Sequence, residues 1–88
     1  SPKGEEKAGD KSGTRYVVQF GAFAEAQAAQ EARSKVERLG VRTYAQQVET
    51  PAGKRIRVRI GPFADRAEAE KAMATVRKAG LAGAILTL

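Results

Sequence analysis

Three arginines alternate with apolar residues along one short segment, Lys54-Arg55-Ile56-Arg57-Val58-Arg59-Ile60. Successive side chains of a β-strand point to opposite faces, so Arg55, Arg57 and Arg59 share one face of the predicted strand. A guanidinium group donates forked hydrogen bonds that match carboxylates and phosphates. The pattern therefore indicates a strand that could bind an anionic ligand. A solvated face that only discourages aggregation is the other interpretation.

The residue types needed for most catalysis and metal binding are missing from the chain. It contains no Cys, His, Trp or Asn. This excludes disulfides, Ser-His-Asp or Cys-His nucleophiles and most metal sites. We therefore expect no catalytic residue, no cofactor and no metal ion, and we predict that the chain is not an enzyme.

The positive charge belongs to the second part of the chain. The 88 residues carry a formal net charge of +6, but the first fourteen contain equal numbers of basic and acidic residues and no large apolar side chain. Such a segment cannot bury enough surface to offset its ordering entropy. We predict a disordered linker over residues 1–14 and one domain over residues 15–88. A linker of this kind suggests a fragment of a longer protein, with any membrane anchor outside this sequence.

The domain is built from an internal repeat. A shift of forty residues aligns nine identical pairs, a regularity that indicates two copies of one structural unit. The identities lie at Arg15/Arg55, Val18/Val58, Gly21/Gly61, Phe23/Phe63, Ala24/Ala64, Ala29/Ala69, Ala32/Ala72, Val36/Val76 and Gly40/Gly80.

Each copy predicts a strand, a helix and a second strand. The strands are expected at 16–20, 41–48, 54–60 and 84–88, with alanine-rich helices that end at Gly40 and Gly80. A turn at 50–53 joins the two middle strands as a hairpin. The order predicts an α+β fold, a ferredoxin-like (RNP-like) βαββαβ sandwich in which two helices pack on one face of a four-stranded antiparallel sheet.

Alternation along the strands predicts which side chains lie on each face of this sheet. The face toward the helices is expected to carry Val18, Phe20, Ile56, Val58, Ile60, Leu86 and Leu88. The uncovered face is expected to carry Val17, Gln19, Arg55, Arg57, Arg59, Ile85 and Thr87, together with Tyr44. In this topology the strands of Gln19 and Arg57 are central neighbours.

Two other function classes share this order of elements. RNA-recognition modules read bases by stacking them on aromatic residues of the central strands, where this chain has arginines. Acylphosphatases depend on a catalytic Asn, which this chain lacks. The enzyme class is excluded on this ground, whereas binding of RNA or DNA by the basic face remains the alternative, because a charge of +6 attracts any polyphosphate at low salt.

Two motifs resemble those of the SPOR (sporulation-related repeat) domain of bacteria. They are Val18-Gln19-Phe20-Gly21-Ala22-Phe23 and Arg57-Val58-Arg59-Ile60-Gly61-Pro62-Phe63, each followed by an alanine-rich helix that ends at glycine. The resemblance implies a ferredoxin-like domain that binds peptidoglycan glycan strands from which amidases have removed the stem peptides. It also implies a periplasmic or cell-wall-facing location, a parent protein with a membrane anchor, and targeting to the division septum.

The resemblance also implies which residues contact the glycan. Gln19 and Arg57 match the glutamine and arginine of the family motifs, and Ile85 matches an aliphatic contact on the last strand. Ala22 replaces a common serine, and Arg55 stands where some members carry tryptophan. Arg59 and Tyr44 complete the predicted site. The expected partners are glycan strands lacking stem peptides, with divisome proteins as further candidates. We expect no nucleic acid, no direct membrane contact and a monomeric state.

Overall fold

The computed structural model describes residues 13–88, which form six regular elements in the order βαββαβ. This confirms the predicted fold class. The predicted linker lies outside the described residues except for Gly13 and Thr14, which belong to no helix or strand. The elements are β1 (Tyr16–Phe23), α1 (Ala26–Glu37), β2 (Tyr44–Thr50), β3 (Gly53–Phe63), α2 (Arg66–Lys78) and β4 (Ala84–Thr87).

The four strands form one antiparallel sheet with the order β2-β3-β1-β4. Strands β1 and β3 are therefore central neighbours, as predicted for the strands of Gln19 and Arg57. Both helices pack on the same face of the sheet, since their buried residues join those of β1 and β3 in one cluster. The opposite face, which no helix covers, is called the open face below.

The core between helices and sheet pairs small helical residues with larger strand residues. The helices contribute three buried residues each, and these are counterparts in the internal repeat. Alanine at most of these positions lets the helix backbones approach the sheet closely, so that the branched and aromatic strand residues fill the space between them. The buried residues are Val18, Phe20, Val58 and Ile60 from the sheet, and Ala29, Ala32, Val36, Ala69, Ala72 and Val76 from the helices.

Each copy of the repeat contains a β-bulge at its Gly-x-Phe sequence. In β1 the pairing moves from Gln19 opposite Arg59 to Gly21 opposite Val58, so that β1 holds one extra residue. A bulge of this kind reverses the alternation of side chains along the rest of the strand. Phe23 therefore packs against the core, although three positions separate it from the buried Phe20. A second irregularity lies where β3 reaches Gly61, opposite the start of β1.

The structure corrects the predicted faces of β4. Val18 pairs with Ile85, and Ile85 packs against the core, so Ile85 lies on the helix side and not on the open face. Leu86 pairs with Val17 and lies on the open face. The prediction failed because β4 has no alternation of polar and apolar residues, and pairing with β1 determines its faces. Thr87 is likewise opposite Tyr16 on the helix side, and Leu88 is 65% exposed instead of buried.

The two helices begin differently. Asp65 caps α2 by accepting a hydrogen bond from the backbone N–H of Glu68 at 2.9 Å, which satisfies one of the free donors of the first turn. Glu25 holds the equivalent position before α1 and makes no side-chain cap. Neither helix within residues 13–88 has the length and apolar character needed to cross a membrane.

Candidate functional site

The open face carries side chains from all four strands. Directly paired residues of an antiparallel sheet lie on the same face, so the register identifies them from the known core positions. The bulge of β1 brings Ala22 onto this face, opposite Arg57. The open face consists of Tyr44, Gln46 and Val48 on β2, Arg55, Arg57 and Arg59 on β3, Val17, Gln19 and Ala22 on β1, and Ala84 and Leu86 on β4.

Arg59 lies at the centre of the open face and binds two glutamine side chains. Its Nε donates to Oε1 of Gln19 at 3.0 Å, and its Nη1 donates to Oε1 of Gln46 at 3.1 Å. Both glutamine oxygens are thereby occupied, and both amide NH2 groups are left as donors. Arg59 therefore fixes the orientation of the two amides on neighbouring strands.

Arg57 and Arg55 are held less firmly than Arg59. Arg57 lies between Gln46 and Ala22, and within residues 13–88 no side chain or carbonyl accepts a hydrogen bond from its guanidinium. Arg55 lies opposite Val48 and donates only to the carbonyl of Lys54, at 2.9 Å. The guanidinium of Arg57 is the most available donor group of the site.

The open face is positively charged and carries no carboxylate within the described chain. The ion pairs of the described chain all lie within the helices and not on the open face. They are Arg33–Glu37, Arg66–Glu70 and Lys71–Glu68. The one acidic residue of the strands, Glu49, is an odd number of positions from Tyr44, Gln46 and Val48, and so points to the helix side of β2. A ligand with negative charge would thus meet three arginines without competition from acidic side chains.

Apolar and aromatic groups lie at the two margins of the open face. Tyr44 is half-buried on the edge strand β2, where it pairs with Arg59. Leu86 is half-buried on the opposite edge strand, β4. Val17 lies between Leu86 and Gly61 but is fully buried, so it offers no surface to a ligand. The polar centre is therefore bordered by one phenol ring and one aliphatic side chain.

The structure brings six of the seven predicted site residues together. Ile85 is the exception, because its side chain lies on the helix side of β4. Sequence reasoning missed Gln46 and Leu86. Alternation along β2 could have predicted Gln46, because it lies two residues from Tyr44 and so on the same face. The sequence of β4 contains no alternation that would place Leu86 on the open face. The six residues on the open face are Gln19, Ala22, Tyr44, Arg55, Arg57 and Arg59.

A polar cluster on the helix side holds the start of β2 in place. Arg33 Nε donates to Thr43 Oγ1 at 2.9 Å, and its Nη2 donates to the carbonyl of Thr43 at 3.3 Å. The Thr43 hydroxyl in turn donates to Glu37 Oε2. This hydrogen bond, together with the charge of Arg33, lowers the pKa of Glu37 below its ordinary value. The cluster fixes the residue that precedes Tyr44.

Comparison with known proteins places the motifs in a family. The SPOR domain profile matches residues 12–87. The structure is similar to the SPOR domain of RlpA from Pseudomonas aeruginosa, with a TM-score of 0.72, 23% identity and coverage of 81% of this chain and 96% of that one. It is also similar to the peptidoglycan-binding domain of the cell wall lytic enzyme CwlC from B. subtilis, with a TM-score of 0.71, 25% identity and coverage of 85% and 90%.

A third similar structure is the Spor protein DedD, with a TM-score of 0.67 and 32% identity. The match covers 99% of this chain and 45% of DedD. Among curated proteins, no sequence matches the chain significantly.

Proposed function

Because the chain belongs to the SPOR family, we propose that the open face of its sheet binds the glycan strands of bacterial peptidoglycan and prefers strands that lack stem peptides. The observation that carries the proposal is the free guanidinium of Arg57 beside two glutamine amides on a face without carboxylates. The peptidoglycan-binding domain of CwlC has the same fold, which supports the choice of ligand.

Removal of stem peptides changes the charge of the glycan. Hydrolysis of the amide bond between N-acetylmuramic acid and its peptide leaves a free lactyl carboxylate on the sugar. Arg57 donates to this carboxylate through paired N–H groups, an arrangement that is stronger than a neutral hydrogen bond. An intact strand presents a bulky peptide at the same place, so the arginine face prefers the stripped strand.

The glutamines act as donors to the neutral groups of the sugar. The side-chain oxygens of Gln19 and Gln46 already accept from Arg59, so their NH2 groups are available for acetamido carbonyls or hydroxyl oxygens of the glycan. Arg59 is therefore a positioning residue for both amides. Tyr44 and Leu86 cover the apolar faces of sugar rings at the two margins, and Leu86 takes the place that was expected for Ile85.

Each of these contacts is weak, so affinity requires several along one strand. Exposed ion pairs contribute about 0.2–1 kcal/mol each. Short glycan fragments should consequently bind poorly, while long strands that make several of these contacts at once should bind well.

Co-sedimentation with peptidoglycan sacculi tests the site. We expect Arg57→Ala combined with Gln19→Ala to remove the protein from the pellet, with an unchanged circular dichroism spectrum. Arg38→Ala is the matched control, because Arg38 is exposed at the end of α1 on the helix side and its loss removes the same charge. Retention of the double variant by sacculi at the level of the unchanged protein would refute the site.

Two further comparisons test the ligand. Sacculi treated with an amidase should retain more protein than untreated sacculi, and equal retention would refute the preference for stripped strands. Single-stranded RNA at physiological salt should not bind. Binding of RNA together with loss of binding to sacculi would establish the nucleic-acid alternative.

The cellular role follows from where stripped glycan occurs. We propose that the domain acts outside the cytoplasm, in the periplasm or at the cell wall, and directs its parent protein to the division septum, where divisome proteins are further candidate partners. A fluorescent fusion exported to the periplasm should accumulate at septa, and the Arg57→Ala fusion should be dispersed. Equal septal accumulation of both fusions would show that another interaction targets the domain.

A further inference from the structure

A groove runs between α2 and the outer strand β4 on the helix side of the sheet. Its volume is about 440 Å³. The helix contributes one stripe of side chains at positions i, i+4, i+7 and i+11, and Ile85 forms the side toward the strand. The lining residues are Arg66, Glu70, Met73, Arg77 and Ile85.

The strand beside this groove has a free edge. β4 pairs only with β1, since it is the last strand in the order β2-β3-β1-β4. The backbone N–H of Leu88 donates to the carbonyl of Arg15, so the alternating pattern directs the N–H and C=O groups of Leu86 toward β1 and those of Ile85 and Thr87 outward. One of these two residues, Ile85, also lines the groove.

The charges of the groove leave one cation without a partner. Arg66 donates to Glu70 at 3.2 Å, and this pair is neutral as a unit. Arg77 forms no hydrogen bond or ion pair with any residue in the described part of the chain. The lining of the groove is mainly polar. Met73 and Ile85 are its two apolar residues, and Arg77, at the end of the helix stripe, supplies one unneutralised guanidinium.

We propose that this groove binds an extended acidic segment of a partner protein, which adds to the sheet as a fifth strand beside β4. The backbone of the segment bonds to the outward groups of Ile85 and Thr87. An aliphatic side chain opposite Ile85 enters the groove against Met73, and a carboxylate two positions further along the segment meets Arg77. Addition of a strand at a sheet edge commonly uses backbone bonds for affinity and side-chain pockets for specificity.

The dimensions of the groove fit this arrangement. Met73 and Arg77 are four residues apart on the helix, a rise of about 6 Å. Two residues of an antiparallel strand advance about 6.8 Å. Strands β3 and β4 both pair antiparallel with β1, so they run parallel to each other, and α2, which connects them, runs antiparallel to β4. Gly83, just before β4, packs against Met73 and Val76 of the helix. Arg77 consequently lies near the Ala84 end of β4. The later residues of a segment that pairs antiparallel with β4 pass this same end.

This partner site is separate from the proposed glycan site. Arg57 and Gln19 lie on the open face, whereas the groove lies on the helix side of the sheet at its edge. A segment bound beside β4 leaves the three arginines of the open face uncovered, so the domain could hold a glycan and a partner protein at the same time.

Nuclear magnetic resonance titration with a capped peptide, Thr-Gln-Thr-Val-Thr-Glu-Thr, tests the proposal. We expect the amide signals of Ile85, Thr87 and the α2 stripe to move, and those of Gln19 and Arg57 to stay. The same peptide with Lys in place of Glu should bind about two- to fivefold more weakly. A peptide N-methylated at its Gln and at its Val, the residues opposite Thr87 and Ile85, should not bind, because strand addition needs these two backbone donors.

Two charge reversals on α2 provide the matched pair of variants. Arg77→Glu should weaken peptide binding about two- to fivefold, and Lys78→Glu should leave it unchanged, because Lys78 is the exposed neighbour outside the groove. Both variants should bind sacculi equally well, so the outcome is independent of the glycan proposal. Absence of shifts at Ile85 and Thr87, equal effects of both variants, or a dimer paired through β4 would overturn the partner site.

Discussion

The three arginines of the open face differ in what holds them. Arg59 binds two glutamine oxygens, Arg55 binds one backbone carbonyl, and Arg57 has no acceptor within residues 13–88. Arginines on one strand therefore have different surroundings: Arg59 orients its two neighbours, and the guanidinium of Arg57 is available to a ligand. Alanine substitution should separate these two effects: Arg59→Ala should release the side chains of Gln19 and Gln46, whereas Arg57→Ala should remove only a contact to the ligand.

At the level of single residues, Ala22 is a site where a contact can be added. It is exposed opposite Arg57, and its methyl group offers a ligand no hydrogen bond. We expect Ala22→Ser to raise binding to stripped sacculi about two- to fivefold, because a hydroxyl hydrogen bond contributes about 0.5–1 kcal/mol. The measurement is the bound fraction in co-sedimentation across protein concentrations. Weaker binding of the serine variant would contradict the placement of Ala22 in the site.

Gly21 is required by packing within the bulge of β1. A Cβ atom there would lie 2.6 Å from Cζ of Phe23 and 3.3 Å from Cγ2 of Val58. Gly21→Ala must displace the Phe23 ring, and we expect it to lower the free energy of unfolding by about 1–3 kcal/mol. Urea denaturation measures the change, with Ala22→Ser as the control at an exposed neighbouring position. Unchanged stability of Gly21→Ala would show that the bulge tolerates a side chain.

At the level of elements, the contact between α1 and β2 depends on pH through Glu37. The folded structure lowers the pKa of Glu37 through the Thr43 hydroxyl and then through Arg33. A lowered folded pKa means that this contribution to stability is complete at neutral pH and is lost as the pH falls through that pKa. We expect Glu37→Gln to lower the melting temperature slightly at pH 7 and to have no effect at pH 2.

The control for this measurement is Glu49→Gln, since Glu49 makes no ion pair or side-chain hydrogen bond in the described chain. A melting temperature that Glu37→Gln lowers equally at both pH values would show that the carboxylate charge is not what stabilises the cluster.

At the level of the whole molecule, the net charge of +6 makes binding to an acidic polymer sensitive to salt. The screening length falls from about 10 Å at 0.1 M salt to about 3 Å at 1 M. We expect the fraction of protein bound to amidase-treated sacculi to fall between 0.05 and about 1 M NaCl, and to fall less for Arg57→Ala. Binding that salt does not change would show that apolar contacts, and not the arginines, hold the glycan.

The sequence predicted the fold and the central strands well because β3 alternates strictly and the repeat fixes the order of elements. It did not predict the faces of β4, where Ile85 and Leu86 are both aliphatic and only the register with β1 distinguishes them. The bulges were also missed, since a constant period of two places Ala22 on the helix side. Its position on the open face was expected only from the family resemblance. The hydrogen bonds of Arg59 depend on side-chain conformations and on the register of three strands, which the sequence pattern does not determine.

The hydrogen bond between Gln19 and Arg59 joins two positions that are forty residues apart, the period of the internal repeat. They are equivalent positions of the two copies, and they face each other across the centre of the sheet. The two copies also differ at the margins of the open face, where Tyr44 and Gln46 of one correspond to Ala84 and Leu86 of the other. A face without twofold symmetry presents different groups to the two ends of a linear polymer, so we expect a bound glycan strand to have one preferred direction across the domain.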